Sequence, residues 1–74
     1  MASEEDALRR LMEQYVPGAQ AVALDADLYD DLGLDSFSAV EFFLAAETAT
    51  GVSLSMEDFV RIRSLRDLLA VVRA

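Results

Sequence analysis

The residues with the most distinctive chemistry form one short run in the middle of the chain, where Asp35 is followed directly by Ser36. A serine hydroxyl becomes a nucleophile when a neighbouring base takes its proton. The chain contains no His, no Cys and no Lys, so Ser36 cannot be a nucleophile by its own means. Asp31 and Asp35 could in principle do acid–base work, but nothing in the sequence supplies a pocket that would tune them. We therefore expect no catalytic residue and no enzyme activity.

Five aspartates crowd this part of the chain and raise the question of a metal site: Asp25, Asp27, Asp30, Asp31 and Asp35. They do not match the calcium loop of an EF-hand, because counting from Asp25 puts Asp30 rather than Gly at position six. We predict no metal site, although a weak, solvated divalent site stays open. The favoured interpretation is a negative patch that attracts basic partners. No Arg lies within the run, so mutual repulsion is expected to make stability depend on salt.

Length and charge limit the classes of function. The chain has 74 residues, which predicts one domain spanning residues 1–74. Its net charge of -8, from 14 acidic and 6 basic residues, argues against nucleic acid and against an anionic membrane surface as partners. The same charge favours partners with basic surfaces. The acidic first residues do not resemble a signal peptide, and no apolar run is long enough to span a bilayer. We expect a cytoplasmic protein, and a monomer.

Four helices are predicted to position these residues, each marked by apolar periodicity and a good capping residue. They cover residues 4–16 with Ser3 as cap, 36–50 with Asp35 as cap, about 56–61 with Ser55 as cap, and a last helix capped by Ser64. Pro17-Gly18 ends the first helix and Gly51 ends the second. Residues 18–35 form a long loop, pinned to the core by its apolar residues Val22, Leu24, Leu28, Leu32 and Leu34. The fold class is therefore all-α, with three main helices, one short third helix and a long first connection.

The second helix has two apolar faces rather than one. At about 100° per residue, one face carries Ala39, Phe42, Phe43, Ala46 and Ala49, and the opposite face carries Phe37, Val40, Glu41, Leu44 and Thr48. A surface helix normally has a single apolar stripe. We predict that the first set lies in the core, and that the second forms a docking face for partners through Phe37, Val40, Glu41 and Leu44. The alternative is that the long loop covers this second face.

The run Asp31-Leu32-Gly33-Leu34-Asp35-Ser36-Phe37-Ser38-Ala39-Val40-Glu41 resembles the attachment motif of acyl carrier proteins. In that family an Asp-Ser pair opens the second helix. Leu28, the Gly51 turn, the short third helix and the segment Ser64-Leu65-Arg66-Asp67-Leu68 also fall where that family places them. The resemblance covers essentially the whole chain from the first helix to the fourth, and it implies the four-helix bundle of acyl carrier proteins.

The resemblance further implies that Ser36 receives 4′-phosphopantetheine from coenzyme A. A separate phosphopantetheinyl transferase would supply the base and metal that this chain lacks. The thiol of the arm would then carry acyl groups as thioesters between acyl-loading and synthase enzymes. If Asp35 caps the helix, the Ser36 hydroxyl is free to point outward, and the positive end of the helix suits a phosphodiester. The alternative is that Ser36 is an ordinary helix cap.

The sequence departs from the pattern of fatty-acid carriers on the second helix. Ser38 stands where an acid is usual, Thr48-Ala49 replace an acidic run, and Phe37 is bulkier than the Leu often found there. These differences favour a carrier in a specialised pathway, such as polyketide assembly, over housekeeping fatty-acid synthesis. Two other interpretations stay open: an aminoacyl or peptidyl carrier, and a small helical interaction module that never carries an arm.

Overall fold

The computed structural model describes residues 3–74, and within that range the chain folds into four α-helices and no strand. The helices are α1 (Glu4–Met12), α2 (Ser36–Thr50), α3 (Met56–Arg61) and α4 (Leu65–Arg73), and one 3-10 turn, Ala19–Ala21, lies in the long loop. The all-α prediction with a short third helix is confirmed. Met1 and Ala2, which the predicted domain includes, lie outside the described residues. No helix in the described range is long and apolar enough to cross a membrane.

Each helix begins at the capping residue that the sequence predicts. The side chains of Ser3, Asp35, Ser55 and Ser64 each accept a hydrogen bond from the backbone N–H three residues further on, at 2.7 to 3.2 Å. These bonds satisfy N–H groups that have no partner inside the first turn of a helix. Gly51 ends α2 with a φ of 75°, a left-handed conformation that costs glycine little.

The first helix is shorter than predicted. It ends at Met12, and the chain continues to Val16 in tight turns, with Tyr15 N–H donating to the Met12 carbonyl at 2.9 Å. The reason is Pro17, which disfavours helical geometry in the residue before it and offers no N–H to extend the helix. Val16 is nevertheless buried, so the apolar periodicity was a correct guide to the core and not to the helix end.

The core gathers buried residues from α1, α2, α4 and the loops, and half-buried Phe59 of α3 packs against it. Its largest fully buried side chains are Leu8, Met12, Leu28, Phe42, Phe43, Ile62, Leu65 and Leu68. The inner face of α2 supplies its centre, because the Phe43 ring lies 5.9 Å from Phe42 and 5.6 Å from Phe59 between ring centroids. Ala49, which was predicted to join this face, is exposed. It lies in the last turn of α2, beyond Ala46, where the buried cluster ends on this helix.

The long loop is pinned to the core as predicted. Leu28 and Leu34 are buried, and Val22, Leu24 and Leu32 are half-buried against the core. Two backbone hydrogen bonds tie the loop to the connection between α3 and α4: Leu28 N–H donates to the Arg63 carbonyl at 2.7 Å, and Arg66 N–H donates to the Leu24 carbonyl at 3.0 Å. The loop therefore lies against the start of α4.

Arg9 holds the first part of the loop to α1. Its side chain is buried, pairs with Glu5 at 2.9 Å, and donates to the carbonyls of Ala19 at 2.9 Å and Val22 at 2.7 Å. A buried guanidinium needs such partners, since an unpaired charge in the interior is costly. These contacts fix the loop at the end of the 3-10 turn.

Candidate functional site

The residues before α2 place Ser36 at the surface. Gly33 has a φ of 77° and turns the chain, and Leu34, only 7% exposed, inserts into the core. Asp35 is extended, with φ of -95° and ψ of 173°, and Ser36 is the first residue of α2. Ser36 is exposed. The sequence thus anchors the chain two residues before Ser36 and leaves the serine itself at the surface.

Asp35 caps α2 and keeps its charge. Its Oδ1 accepts a hydrogen bond from the Ser38 N–H at 2.7 Å. This bond, followed by one from the Ser38 hydroxyl, holds the pKa of Asp35 below its ordinary value. The positive end of the helix is therefore already occupied by a carboxylate. Asp35 takes up the Ser38 N–H, and the expectation that this end of the helix suits a phosphodiester stays a prediction.

The Ser36 hydroxyl has no structural task in the described part of the chain. No side-chain hydrogen bond among residues 3–74 involves it, whereas the neighbouring Asp35 carboxylate and Ser38 N–H are engaged with each other. The interpretation of Ser36 as the helix cap is wrong, because Asp35 is the cap. An exposed, unengaged hydroxyl at a fixed helix start fits a covalent attachment that extends into solvent.

The opposite faces of α2 separate as predicted. Ala39, Phe42, Phe43 and Ala46 are buried, whereas the exposed fractions of Phe37, Val40 and Leu44 are 73%, 38% and 49%. Glu41 and Thr48 are also exposed. The loop does not cover this face, because its hydrogen bonds and ion pairs join it to α1 and to the start of α4. The docking role of Phe37, Val40, Glu41 and Leu44 stays a prediction.

Three of the five aspartates of the loop pair with arginines. Arg66 pairs with Asp25, and Arg63 pairs with Asp27 at 2.9 Å and with Asp30 at 3.8 Å. The expected repulsion was inferred without these arginines, because they lie more than thirty residues away from the aspartates in sequence. Within residues 3–74 no group of three or more acidic side chains is arranged to hold a metal ion.

Hydrogen bonds lower the pKa values of two of these aspartates. Asp27 accepts the backbone N–H of Asp30 at 2.8 Å, and this bond, followed by the one from Arg63, holds its pKa below the ordinary value. The hydrogen bond from Arg66 does the same for the pKa of Asp25. Asp31 accepts the Asp27 N–H at 2.8 Å. The acidic run is therefore a set of local turn bonds and long-range ion pairs that shape the loop.

Sequence reasoning missed the arginines that organise the site. Glu5 and Arg9 stand four residues apart, a spacing that indicates a helical ion pair, but it does not reveal the carbonyls that Arg9 also binds. Nothing local links Arg63 to Asp27, or to the Tyr29 ring that its guanidinium covers at 5.1 Å from the centroid. Such pairings depend on which segments the fold brings together.

A second exposed apolar pair, also missed, lies on α3. Met56 and Val60 are each 78% exposed and line a shallow surface depression together with Glu57 and Arg61. Glu57 and Arg61 form an exposed ion pair at 3.6 Å. The two side chains stand four residues apart on one side of the helix, the spacing of helical neighbours.

The geometry of this site agrees with the comparison of the chain to known families. The family model that describes the phosphopantetheine attachment site matches residues 6–72. The chain belongs to this family, that of the phosphopantetheine-bearing acyl carrier proteins.

Individual relatives match over nearly their whole length. The chain is 29% identical over 73 residues to the acyl carrier protein of Nitratidesulfovibrio vulgaris strain Miyazaki F, covering 99% of this chain and 96% of that protein. It is 32% identical over 72 residues to the acyl carrier protein of Solidesulfovibrio magneticus, covering 97% and 92%. It is 30% identical over 69 residues to that of Syntrophus aciditrophicus, covering 93% and 86%.

Membership in this family defines the general role of the chain. It is a carrier and not a catalyst, and its prosthetic group is phosphopantetheine. The group supplies a terminal thiol, which this cysteine-free chain does not have. The chain's own contribution is a folded domain that bears the group and interacts with the transferase and synthase enzymes.

Proposed function

We propose that the protein carries acyl groups as thioesters on a 4′-phosphopantetheine arm attached to Ser36. The observation that supports this most strongly is the division of tasks at the start of α2. Asp35 caps the helix, so the adjacent Ser36 hydroxyl is exposed and has no partner among the described residues. A serine needed for the fold would be a poor attachment residue, because its modification would disturb the helix.

Loading requires an enzyme that activates Ser36. The Ser36 oxygen forms a bond to the phosphorus of the phosphopantetheine half of coenzyme A, while the bond from that phosphorus to the 3′,5′-ADP half breaks. The hydroxyl proton passes to a base of the phosphopantetheinyl transferase, because this chain has no His, Cys or Lys to accept it. Asp35 cannot serve readily, since its carboxylate is engaged with Ser38 and its pKa is lowered.

We further propose a role in a specialised pathway, such as polyketide assembly, rather than in housekeeping fatty-acid synthesis. The support is the outer face of α2, where Glu41 is the acidic residue that stands among exposed apolar side chains. Acyl-loading and synthase enzymes with basic surfaces are the expected partners, because the chain carries a net charge of -8. The protein would act as a monomer in the cytoplasm, where coenzyme A is available.

The test is the intact mass of the protein after incubation with coenzyme A and a broad-specificity phosphopantetheinyl transferase. We expect one phosphopantetheine per chain on the wild type and none on Ser36→Ala. Ser53→Ala, which removes an exposed hydroxyl from the loop after α2, is the matched control and should be loaded like the wild type. The circular dichroism of Ser36→Ala should be unchanged, because Asp35 still caps α2.

Two results would contradict the assignment. Modification at Ser38 in place of Ser36 would show that Ser36 is not the attachment residue. The absence of any modification would favour a small helical interaction module. Aminoacyl cargo is the remaining alternative to acyl cargo. Mass analysis of the thioester released from the protein of its native producer distinguishes the two, since an aminoacyl group carries a nitrogen that a simple acyl group lacks.

A further inference from the structure

We infer that Arg63 is a positioning residue for the loading reaction: it holds the segment before α2 in place and thereby fixes the Ser36 oxygen for transfer of the arm. This inference rests on the proposed function, because it concerns the reaction at Ser36. Three observations carry it: the buried anchors on either side of Ser36, the bonds that close residues 27–34 into one turn, and the contacts of Arg63 with that turn.

The start of α2 is held between two buried residues. Leu34 is 7% exposed on the loop side, and Ala39 is fully buried on the helix side. Between them, Asp35 and Ser36 are exposed. The cap bond that Asp35 accepts from the Ser38 N–H requires Asp35 to stay in its extended conformation. Because the ends of helices fray, the position of Ser36 depends on the Leu34 anchor as well as on the helix.

Residues 27–34 form a closed turn, the 27–34 turn, which ends at this anchor. The Leu34 N–H donates to the Leu28 carbonyl at 3.0 Å, so the two ends of the turn are bonded to each other. At its beginning, the Asp27 carboxylate accepts the Tyr29 N–H at 2.9 Å. A shift of Asp27 or Leu28 is therefore passed on to Leu34.

Arg63, in the connection between α3 and α4, contacts three consecutive residues of this turn. Its guanidinium donates to the Asp27 carboxylate at 2.9 and 3.2 Å, and it covers the Tyr29 ring at 5.1 Å from the centroid. Its backbone carbonyl accepts the Leu28 N–H at 2.7 Å. Arg63 is itself fixed, because its own N–H donates to the Asp67 carboxylate of α4 at 3.0 Å. It therefore joins the 27–34 turn to the last helix of the bundle.

These contacts matter for the reaction because phosphoryl chemistry depends on alignment. The attacking oxygen and the leaving oxygen stand roughly in line across the phosphorus, and a misplacement of about 1 Å can lower a rate by about a hundredfold. Without the guanidinium contacts the start of α2 frays more often, and the Ser36 oxygen is in the reactive position for less of the time. This defect lowers kcat, because it acts within the bound complex. A direct contact of Arg63 with the transferase would instead appear in KM.

The experiment measures kcat and KM for loading of the unmodified protein by a broad-specificity phosphopantetheinyl transferase. Arg63→Gln should lower kcat about threefold to tenfold and change KM by less than about twofold. Arg61→Gln is the matched control. It removes the same charge from an exposed arginine that pairs with Glu57 on α3, and its kcat should equal that of the wild type.

Two further measurements distinguish positioning from a general loss of structure. In amide hydrogen exchange, Arg63→Gln should speed exchange at the Leu34 and Ser38 N–H groups and leave the Phe43 N–H protected. Asp27→Asn should also lower kcat, and combining it with Arg63→Gln should add little, because both changes remove the same pair. Arg63→Lys keeps the charge but not the two-point bond to Asp27, and it replaces Arg63→Gln if that variant is unfolded at the assay temperature.

The outcomes separate this inference from the proposed function. If the wild type gains no phosphopantetheine, both fail. If the wild type is loaded and Arg63→Gln keeps its kcat, the inference alone fails. It fails likewise if the defect lies in KM, if Arg61→Gln loses as much, if the losses of Arg63→Gln and Asp27→Asn multiply in the double variant, or if the Leu34 and Ser38 amides exchange as in the wild type.

Discussion

Both faces of α2 carry phenylalanines and other apolar residues, but one face is buried and the other is exposed. The inner face buries Phe42 and Phe43 in the core, and the outer face leaves Phe37 and Leu44 in solvent. Hydropathy does not distinguish the two faces. What distinguishes them is the rest of the chain, which packs on one side of α2 only. The predicted docking role of the outer face rests on this exposed apolar surface, which the fold leaves unpartnered.

The long loop could have covered the outer face, and its attachments explain why it does not. Arg9 binds the loop to α1, and the Arg63–Asp27 and Arg66–Asp25 pairs bind it to the start of α4. The comparison between the two faces thus depends on residues that lie outside α2. Substitutions in the inner face, in the attachments of the loop and in the outer face should therefore have different effects on stability.

The largest effect is expected on the inner face. Phe43→Ala removes a ring that is 1% exposed and packs against Phe42 and Phe59. The free energy of unfolding should fall by about 3–5 kcal/mol, a large part of the stability of a small domain. A chemical denaturation curve gives the value. A loss below about 1 kcal/mol would show that the inner face is not the core.

A smaller loss is expected where the loop meets α1. Arg9→Met keeps the apolar stem but removes the guanidinium that donates to the carbonyls of Ala19 and Val22. We expect the free energy of unfolding to fall by about 2–3 kcal/mol. Arg10→Met, at an exposed neighbouring position, is the control and should change it by less than about 0.5 kcal/mol. Equal losses in the two variants would exclude a special role for Arg9.

The Asp27 carboxylate, which accepts hydrogen bonds from the Asp30 N–H and from Arg63, should make stability depend on pH. Because the pKa of Asp27 is lowered in the folded state, its contribution to stability is fully present above the unfolded pKa of about 3.9 and is lost as pH falls below that value through the lower pKa of the folded state. Thermal melts between neutral and acid pH should show this fall in the wild type. In Asp27→Asn the fall should be shallower, and the two curves should converge at low pH.

A second variant controls for the change in net charge that Asp27→Asn causes. Glu13→Gln removes one exposed negative charge without touching the loop, and it separates the effect of net charge from that of the pair. If the pH profile of Asp27→Asn runs parallel to that of the wild type, the Asp27 carboxylate, with its bonds from Asp30 and Arg63, does not hold the loop in place.

The smallest effect on stability is expected on the outer face. Val40→Asp and Leu44→Asp should change the free energy of unfolding by no more than about 0.5 kcal/mol, because neither residue belongs to the buried core. Both should nevertheless slow loading by the transferase. Denaturation curves paired with the loading assay check the two statements together. If Val40→Asp unfolds the protein as severely as Phe43→Ala, the outer face is part of the core.

Local rules were sufficient to predict most of the helices. Capping residues marked the four starts, Gly51 marked the end of α2, and helical spacing separated Phe42 and Phe43 from Phe37 and Leu44. These features depend on residues within one or two turns of each other. The predicted end of α1 at residue 16 was wrong. The helix ends at Met12, because Pro17 disturbs the helix over more than the one residue before it.

The contacts that hold the loop in place could not be predicted, because they join residues that are far apart in sequence. The aspartates of the loop were interpreted as a repelling patch because Arg63 and Arg66 lie more than thirty residues away in sequence. The burial of Arg9 was likewise hidden, since an arginine on a helix is usually solvated. At the candidate site, the positions of Asp35 and Ser36 were local and predictable, whereas the anchoring of the loop that leads to them was not.

The separation of the cap, Asp35, from the proposed attachment residue, Ser36, has a consequence for recognition. Because Asp35 holds the first turn through Ser38, the backbone of this turn should be the same before and after Ser36 is modified, and for every group attached there. Enzymes that bind this surface would then bind it equally well whatever group the arm carries. Discrimination between a loaded and an empty carrier would have to occur at the far end of the arm, inside the pocket of each enzyme.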